Sequence, residues 1–145
     1  MLPFLDEIRK LRSLAVVGLA KNTGKTETLN YVLRGLSAEV ECVAGPARVL
    51  PRSAAGLTTR HVTSAAEMLD ACLATWDKCN AGIMVAAVGG YRVNRIASQK
   101  LHRTADTPLT LELIPNADIA ATLGKKKQPG QLLVGFALET HDALT

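Results

Sequence analysis

The chain has 145 residues, of which 48% are hydrophobic, 21% charged and only 3% aromatic, and it carries a formal net charge of +4. This length and composition belong to a globular chain able to build one real core, so a single domain over residues 1–145 is expected. The modest charge and scarce aromatics argue against nucleic acid as a partner. No apolar run approaches the roughly 18 residues of a membrane span, so no membrane partner is expected either.

Residues 1–12 alternate apolar and charged side chains, as a short amphipathic helix does, without the organisation of a secretory leader. Cys42, Cys72 and Cys79 are odd in number and lack C-x-x-C spacing, which supports neither a disulfide framework nor a zinc site and fits a reducing cytoplasm.

Ser13 to Val17 is an apolar run of strand length that stops at Gly18. Beyond Glu27, residues Leu29, Val32, Leu33 and Leu36 recur on one helical face. Between strand and helix lies Gly18-Leu-Ala-Lys-Asn-Thr-Gly-Lys-Thr26, a loop that delivers backbone N–H groups to the positive end of a helix and so reads as a phosphate cradle. Gly18, Asn22, Thr23 and Gly24 would bring the backbone close to phosphate oxygens, Lys25 would reach the outer phosphates, and the Thr26 hydroxyl could ligate Mg²⁺. Five residues separate the two glycines, where the usual P-loop has four, so the match to G-x-x-x-x-G-K-[ST] holds from Gly24 onward. A surface turn with Thr23 as helix cap is the plain alternative.

Ala38 to Ala44 predicts a second strand closed by Gly45-Pro46, and Thr58 to Thr63 a third. Ser64-Ala-Ala-Glu67 is a capping box that opens a helix with Ala65, Met68, Leu69, Cys72, Leu73 and Trp76 on its apolar face. Ala81 to Val88 predicts a central parallel strand ended by Gly89-Gly90. Leu109 to Ile114 predicts a fifth strand, Asp118 to Leu123 a short helix, and Gln131 to Leu138 a sixth strand. Lys125-Lys126-Lys127, ahead of Pro129-Gly130, reads as a solvated turn.

Alternating strands and helices imply an α/β fold: a single Rossmann-like, doubly wound, mostly parallel sheet with helices on both faces. Ligands of such sheets sit beyond the carboxyl ends of the strands near the switch point, where Gly18–Thr26 and Gly89-Gly90 both fall. The glycine pair either lets a ribose or base approach the backbone or is an ordinary tight turn.

Residues from about 38 to 142 resemble the phosphopantothenoylcysteine synthetase (phosphopantothenate-cysteine ligase) domain of the coenzyme A pathway flavoprotein. The resemblance is carried by Val43-Ala-Gly-Pro46, Val62-Thr-Ser-Ala-Ala-Glu-Met-Leu69, Ile83-Met-Val-Ala-Ala-Val88 with Tyr91-Arg92, Gln99-Lys100, Leu109-Thr-Leu-Glu-Leu113, Pro115-Asn-Ala-Asp-Ile119 and Leu133-Val-Gly-Phe-Ala137 with Glu139-Thr140. It implies a Rossmann-like domain that uses CTP. It places strand-end nucleotide contacts on Met84, Val85 and Ala86, a second contact segment on Asn116, Ala117, Asp118 and Ile119, and a further contact on Phe136. Lys100 stands where the family's K-x-K-K motif begins, at the lysine that serves the attack of cysteine on the acyl-cytidylate, with His102 and Arg103 in place of the two following lysines.

Three departures weigh against complete ligase chemistry. Gly89-Gly90 replaces the family's Ala-Asp, which removes a carboxylate associated with CTP. The first unit, with its N-x-S-S-G-K loop, is replaced by the P-loop-like unit. A C-terminal stretch with further lysines for the triphosphate is missing. Residues 13–36 instead resemble a P-loop NTPase, yet the apolar strand from Ala81 ends in Gly-Gly and supplies no Walker B carboxylate. Two lineages joined in this way predict an engineered chimera that binds a nucleotide or phosphate without turnover. Residual CTP-dependent ligase activity through Lys100 is the second reading, and a folded scaffold without ligand the third. The expected cofactor is a nucleoside triphosphate, CTP from the second half or ATP or GTP from the first, with Mg²⁺ at Thr26. The expected partner is this small molecule, and a homodimer is left open.

Overall fold

A computed structural model describes residues 13–17, 39–46, 55–102 and 108–135. Five parallel strands form its main sheet: β1 (Ser13–Val17), β2 (Glu39–Ala44), β3 (Leu57–His61), β4 (Ala81–Met84) and β7 (Leu132–Gly135), in the order β3-β2-β1-β4-β7. From β1 the order runs through β2 to β3 on one side and through β4 to β7 on the other, so its direction reverses between β1 and β4. Val17 lies opposite both Val43 and Met84, which brings the carboxyl ends of β1, β2 and β4 level with one another. Along β2, Val40, Cys42, Val43 and Ala44 are all buried. Residues of both parities are thus covered, as in a central parallel strand.

The helix α1 (Ala65–Trp76) begins where the sequence places it. Ser64 Oγ accepts from Glu67 N at 3.2 Å, and Glu67 Oε2 accepts from Thr63 N at 2.7 Å, Thr63 Oγ1 at 2.8 Å and Ser64 N at 3.3 Å. This reciprocal cap satisfies N–H groups that no helical turn can reach. Met68, Cys72 and Trp76 of the expected apolar face are buried, with Leu69 and Leu73 packed around them. Trp76 is 1% exposed, and its indole Nε1 donates to Leu123 O at 3.1 Å, tying α1 to α2 (Ile119–Lys125). A Cβ on Gly82 would stand 2.9 Å from Trp76 Cζ3, so only glycine lets the ring lie on β4. Gln131, itself buried, donates from Nε2 to Trp76 O at 2.9 Å and Cys79 O at 2.8 Å, which binds the start of β7 to the end of α1. The two described helices pack side by side. The helix expected after residue 27 and the amphipathic segment 1–12 lie outside the described residues.

Two strand expectations need correction. The apolar run from Ala81 to Val88 is strand only to Met84, where its pairings with Val17 and Gly135 end; residues 85–88 leave the ladder, and Ala86, Ala87 and Val88 line a cavity instead. The segment Leu109–Ile114 does not join the parallel sheet. Its end forms β6 (Leu113–Pro115), which pairs antiparallel with β5 (Tyr91–Val93), a strand that the sequence reading missed. The ribbon runs one step further, since Asn94 N donates to Glu112 O at 2.9 Å. Directly opposed residues share a face. Tyr91, Val93, Leu113 and Pro115 therefore form one face of the ribbon, and Arg92 and Ile114 belong to the other. Tyr91 is 67% exposed, Leu109 70%, Leu111 59% and Leu113 56%, an apolar stripe uncovered by the described residues.

Candidate nucleotide site

Three strand ends supply the walls of two neighbouring cavities. After β2 the chain turns at Gly45-Pro46, after β3 it enters the cap of α1, and after β4 it runs irregularly to Gly90. The first cavity, of about 470 Å³, is lined by these turns, including Thr63, Ser64, Met68, Ala86, Gly89 and Asn116. The second, of about 550 Å³, lies between the same strand end and the start of α2, with Met84, Ala86, Gly89, Asn116, Asp118 and Gly135 among its walls. Ala86, Val88, Gly89 and Asn116 line both. The position beyond the carboxyl ends, beside the reversal in strand order, is where open α/β sheets hold ligands. A third cavity, of about 520 Å³ around Glu39, Leu57 and Thr75, lies at the amino ends instead.

The common wall is held by a compact set of hydrogen bonds. Asn116 N donates to Gly90 O at 2.8 Å and Asn116 Nδ2 to Gly89 O at 2.8 Å. Arg92 Nη1 donates to Pro115 O at 2.9 Å and to Asn116 Oδ1 at 3.1 Å. Asp118 Oδ1 accepts from Ala121 N at 2.8 Å and so caps α2.

Charge in the two cavities is one-sided. No lysine or arginine is among their described lining residues, while both described helix starts carry a carboxylate, Glu67 at α1 and Asp118 at α2. The hydrogen bonds from Thr63, backbone and then side chain, hold the Glu67 carboxyl below its ordinary value, so it is ionised at neutral pH and answers the α1 dipole itself. Burial pushes the thiols of Cys42 and Cys72 up to about 11 and raises that of Cys79; all three are free, neutral thiols rather than nucleophiles. Among the described residues no group of three or more His, Cys, Asp or Glu could hold a metal ion, and no helix is long and apolar enough to cross a membrane.

Of the residues singled out from the sequence, Met84, Ala86, Asn116, Ala117, Asp118 and Ile119 come together around the cavities. Val85 is half-buried beside them but lines neither, and Lys100 stands exposed in the irregular stretch after β5, outside both linings. Gly18, Asn22, Thr23, Gly24, Lys25, Thr26 and Phe136 lie outside the described residues. Thr63, Ser64, Met68 and Tyr91 line the first cavity without having been singled out as site residues. Their signal was present, but capping and core packing explained it.

A family model for the DNA/pantothenate metabolism flavoprotein C-terminal domain matches residues 12–145. The chain belongs to this family. Within it, the chain is 39% identical over 111 residues to the coenzyme A biosynthesis bifunctional protein CoaBC of Vibrio parahaemolyticus, a match that covers 76% of this chain and 27% of that protein. It is 40% identical over 110 residues to a cysteine/cysteine sulfinic acid decarboxylase of an unknown prokaryotic organism, covering 76% of this chain and 30% of that one. The chain thus spans less than a third of these curated relatives. Among solved structures, the C-terminal domain of a CoaBC protein superposes with a TM-score of 0.68 at 29% identity, covering 89% of this chain and 65% of that one. The DNA/pantothenate metabolism flavoprotein of Streptococcus pneumoniae gives 0.62 at 16% identity, covering 85% and 67%, and speaks to the fold alone.

These matches support an α/β domain with parallel strands and a likeness to phosphopantothenoylcysteine synthetase. The family match begins at residue 12 and runs through Gly18–Thr26. It therefore lends no support to dividing the chain into a P-loop NTPase unit and a synthetase-like remainder, nor to an engineered origin or a loss of turnover inferred from that division.

Proposed function

We propose that this domain is a nucleotide-dependent ligase of the phosphopantothenoylcysteine synthetase type, built as a Rossmann-like doubly wound sheet with helices on both faces and acting on soluble cytoplasmic metabolites. The observation that carries the reading is the wall shared by the two cavities. Acyl activation requires a carboxylate and a nucleotide α-phosphate to meet, and two cavities joined at Gly89 and Asn116 offer adjoining berths. In this reading the second cavity takes the base and ribose of CTP, against Met84, Ala86 and Asn116–Ile119. The first takes the pantothenate chain. The carboxylate attacks the α-phosphorus, its P–O bond to pyrophosphate breaks, and an acyl-cytidylate remains. The amine of cysteine then attacks the acyl carbon, CMP leaves and the amine loses a proton, with Lys100 serving this second step.

Among the described lining residues neither cavity has a cation, and both described helix starts are already matched by Glu67 and Asp118. We assign the triphosphate to Gly24, Lys25 and Thr26, with Mg²⁺ accompanying the phosphates. A second copy of the chain is the further partner we assign. An isolated two-stranded ribbon is marginal in water, and the exposed apolar stripe of Tyr91, Val93, Leu111 and Leu113 is a surface that a second copy could cover.

The test is release of pyrophosphate from CTP and Mg²⁺ on adding 4'-phosphopantothenate. Lys100→Gln should leave that release intact and slow amide formation with cysteine. Release no greater than a blank at high protein concentration would remove the ligase reading and leave nucleotide binding to be decided by calorimetry with CTP.

A further inference from the structure

Asn116 is the polar side chain common to both cavities, and its amide can in principle sit either way round. In one sense it turns an oxygen to Gly89 O and a nitrogen to Arg92, setting acceptor against acceptor and donor against donor. In the other, Nδ2 donates to Gly89 O at 2.8 Å and Oδ1 accepts from Arg92 Nη1 at 3.1 Å. Gly89 O contributes to this choice as a neutral acceptor. The guanidinium cannot become an acceptor, and it is anchored a second time on Pro115 O at 2.9 Å.

We infer that Arg92 is a positioning residue for this site: it fixes the sense of the Asn116 amide and, through it, locks the turn after β4 to the segment that leads into α2. Arg92 lies on β5 and lines neither cavity, so it acts through Asn116 alone. With Oδ1 held by Arg92 and one N–H by Gly89, the amide keeps one N–H uncommitted among the described residues. The shared wall therefore presents a free N–H from this side chain, which favours ligand atoms with lone pairs: a base carbonyl or ring nitrogen, or a substrate carboxylate. Without Arg92 only Gly89 O would bias the amide, and in its flipped sense it would meet such atoms with an oxygen.

The choice of CTP as probe rests on the proposed ligase reading, so the experiment carries one readout that needs no ligand. The Asn116 side-chain amide resonances are identified by their loss in Asn116→Asp and compared in the parent, Arg92→Met and Arg92→Lys, alongside calorimetry with CTP. In the parent and in Arg92→Lys the amide should be protected from solvent exchange; in Arg92→Met that protection should be lost. CTP affinity should fall about five- to tenfold in Arg92→Met, the effect of a charge-assisted hydrogen bond at an open site, and recover most of that loss in Arg92→Lys. The melting point should fall only slightly, since Arg92 is exposed and its loss removes surface hydrogen bonds to Pro115 O and Asn116 Oδ1. Unchanged amide protection in Arg92→Met, or lost protection with unchanged CTP affinity, overturns the assignment. If Arg92→Met does not fold, a mobile Asn116 amide in folded Arg92→Lys overturns it equally. A parent that binds no CTP removes the nucleotide reading instead, and amide protection still decides whether Arg92 sets Asn116.

Discussion

Gly89-Gly90 stands where the resembling synthetases carry Ala-Asp, and the structure gives a reason to expect that the carboxylate can be put back. Neither glycine has the left-handed backbone that would demand glycine. A Cβ at Gly89 would meet Tyr91 O at 3.7 Å, an ordinary contact, and one at Gly90 would meet nothing within 4 Å. Removing two glycines at compatible positions narrows the unfolded ensemble and stabilises by about 0.4–1 kcal/mol each. At about 2–4 °C per kcal/mol for a chain of this size, the double variant Gly89→Ala, Gly90→Asp should melt a few degrees higher than the parent. Gly90 lines the second cavity, so the new carboxylate would face the berth assigned to the nucleotide. There it offers two acceptor oxygens, either to a ribose diol or to the Mg²⁺ that travels with the triphosphate. A charge-assisted hydrogen bond at the lower end of its range, about 1.5 kcal/mol, corresponds to roughly tenfold in CTP affinity. Calorimetry with and without Mg²⁺ separates the two roles, because only the metal-linked gain vanishes in chelator. A lower melting point would refute the reading of the backbone. A melting point that rises while CTP affinity stays flat would mean that the nucleotide does not occupy this cavity.

Two further outcomes follow from other parts of the molecule. If the ribbon stripe is covered by a second copy, Leu111→Lys with Leu113→Lys should convert a dimer to a monomer by light scattering with little loss of helix signal; a monomeric parent would refute the assignment. For Glu67, a carboxyl pKa lowered by folding contributes stability that is present above the unfolded value near 4.5 and is lost as pH falls through the folded value. The stability gap between parent and Glu67→Gln, read from urea midpoints, should therefore be full at neutral pH and close on acidification, and a gap that ignores pH would refute the capping role of the charge.

The elements legible in the sequence were those whose cause is local. Ser64 and Glu67 determine one another three residues apart, and the spacing of Met68, Cys72 and Trp76 shows which helical face is buried, so α1 was readable from start to core. Ala81–Val88 misled because apolarity has two uses. Up to Met84 it fills a central strand, and from Ala86 to Val88 it borders cavities, and no periodicity separates the two. Leu109-Thr-Leu-Glu-Leu113 has the alternation of a half-exposed strand, but alternation does not say which sheet a strand joins. Its partner Tyr91-Arg92-Val93 is too short to carry any period of its own.

The site divides along the same line. Strand ends and the Asn116–Ile119 segment were recoverable because turns at carboxyl ends follow from the fold's direction, and the resemblance named them. The contribution of Thr63 to Met68 was hidden, since a capping box that also walls a cavity looks no different in sequence from one that does not. Yet that box has a chemical consequence for the site. By holding an ionised Glu67 at the start of α1, it makes this helix end a poor host for phosphate, and at α2 the Asp118 side chain already occupies the Ala121 N–H. Among the described residues, the two cavities offer backbone, apolar contact and the Asn116 amide for recognition. Under the proposed reading, selection of base and acyl chain is thereby separated from neutralisation of the triphosphate. Basic residues such as Lys25 would then govern affinity for phosphates, while the Asn116 wall governs which nucleoside and which acid are joined.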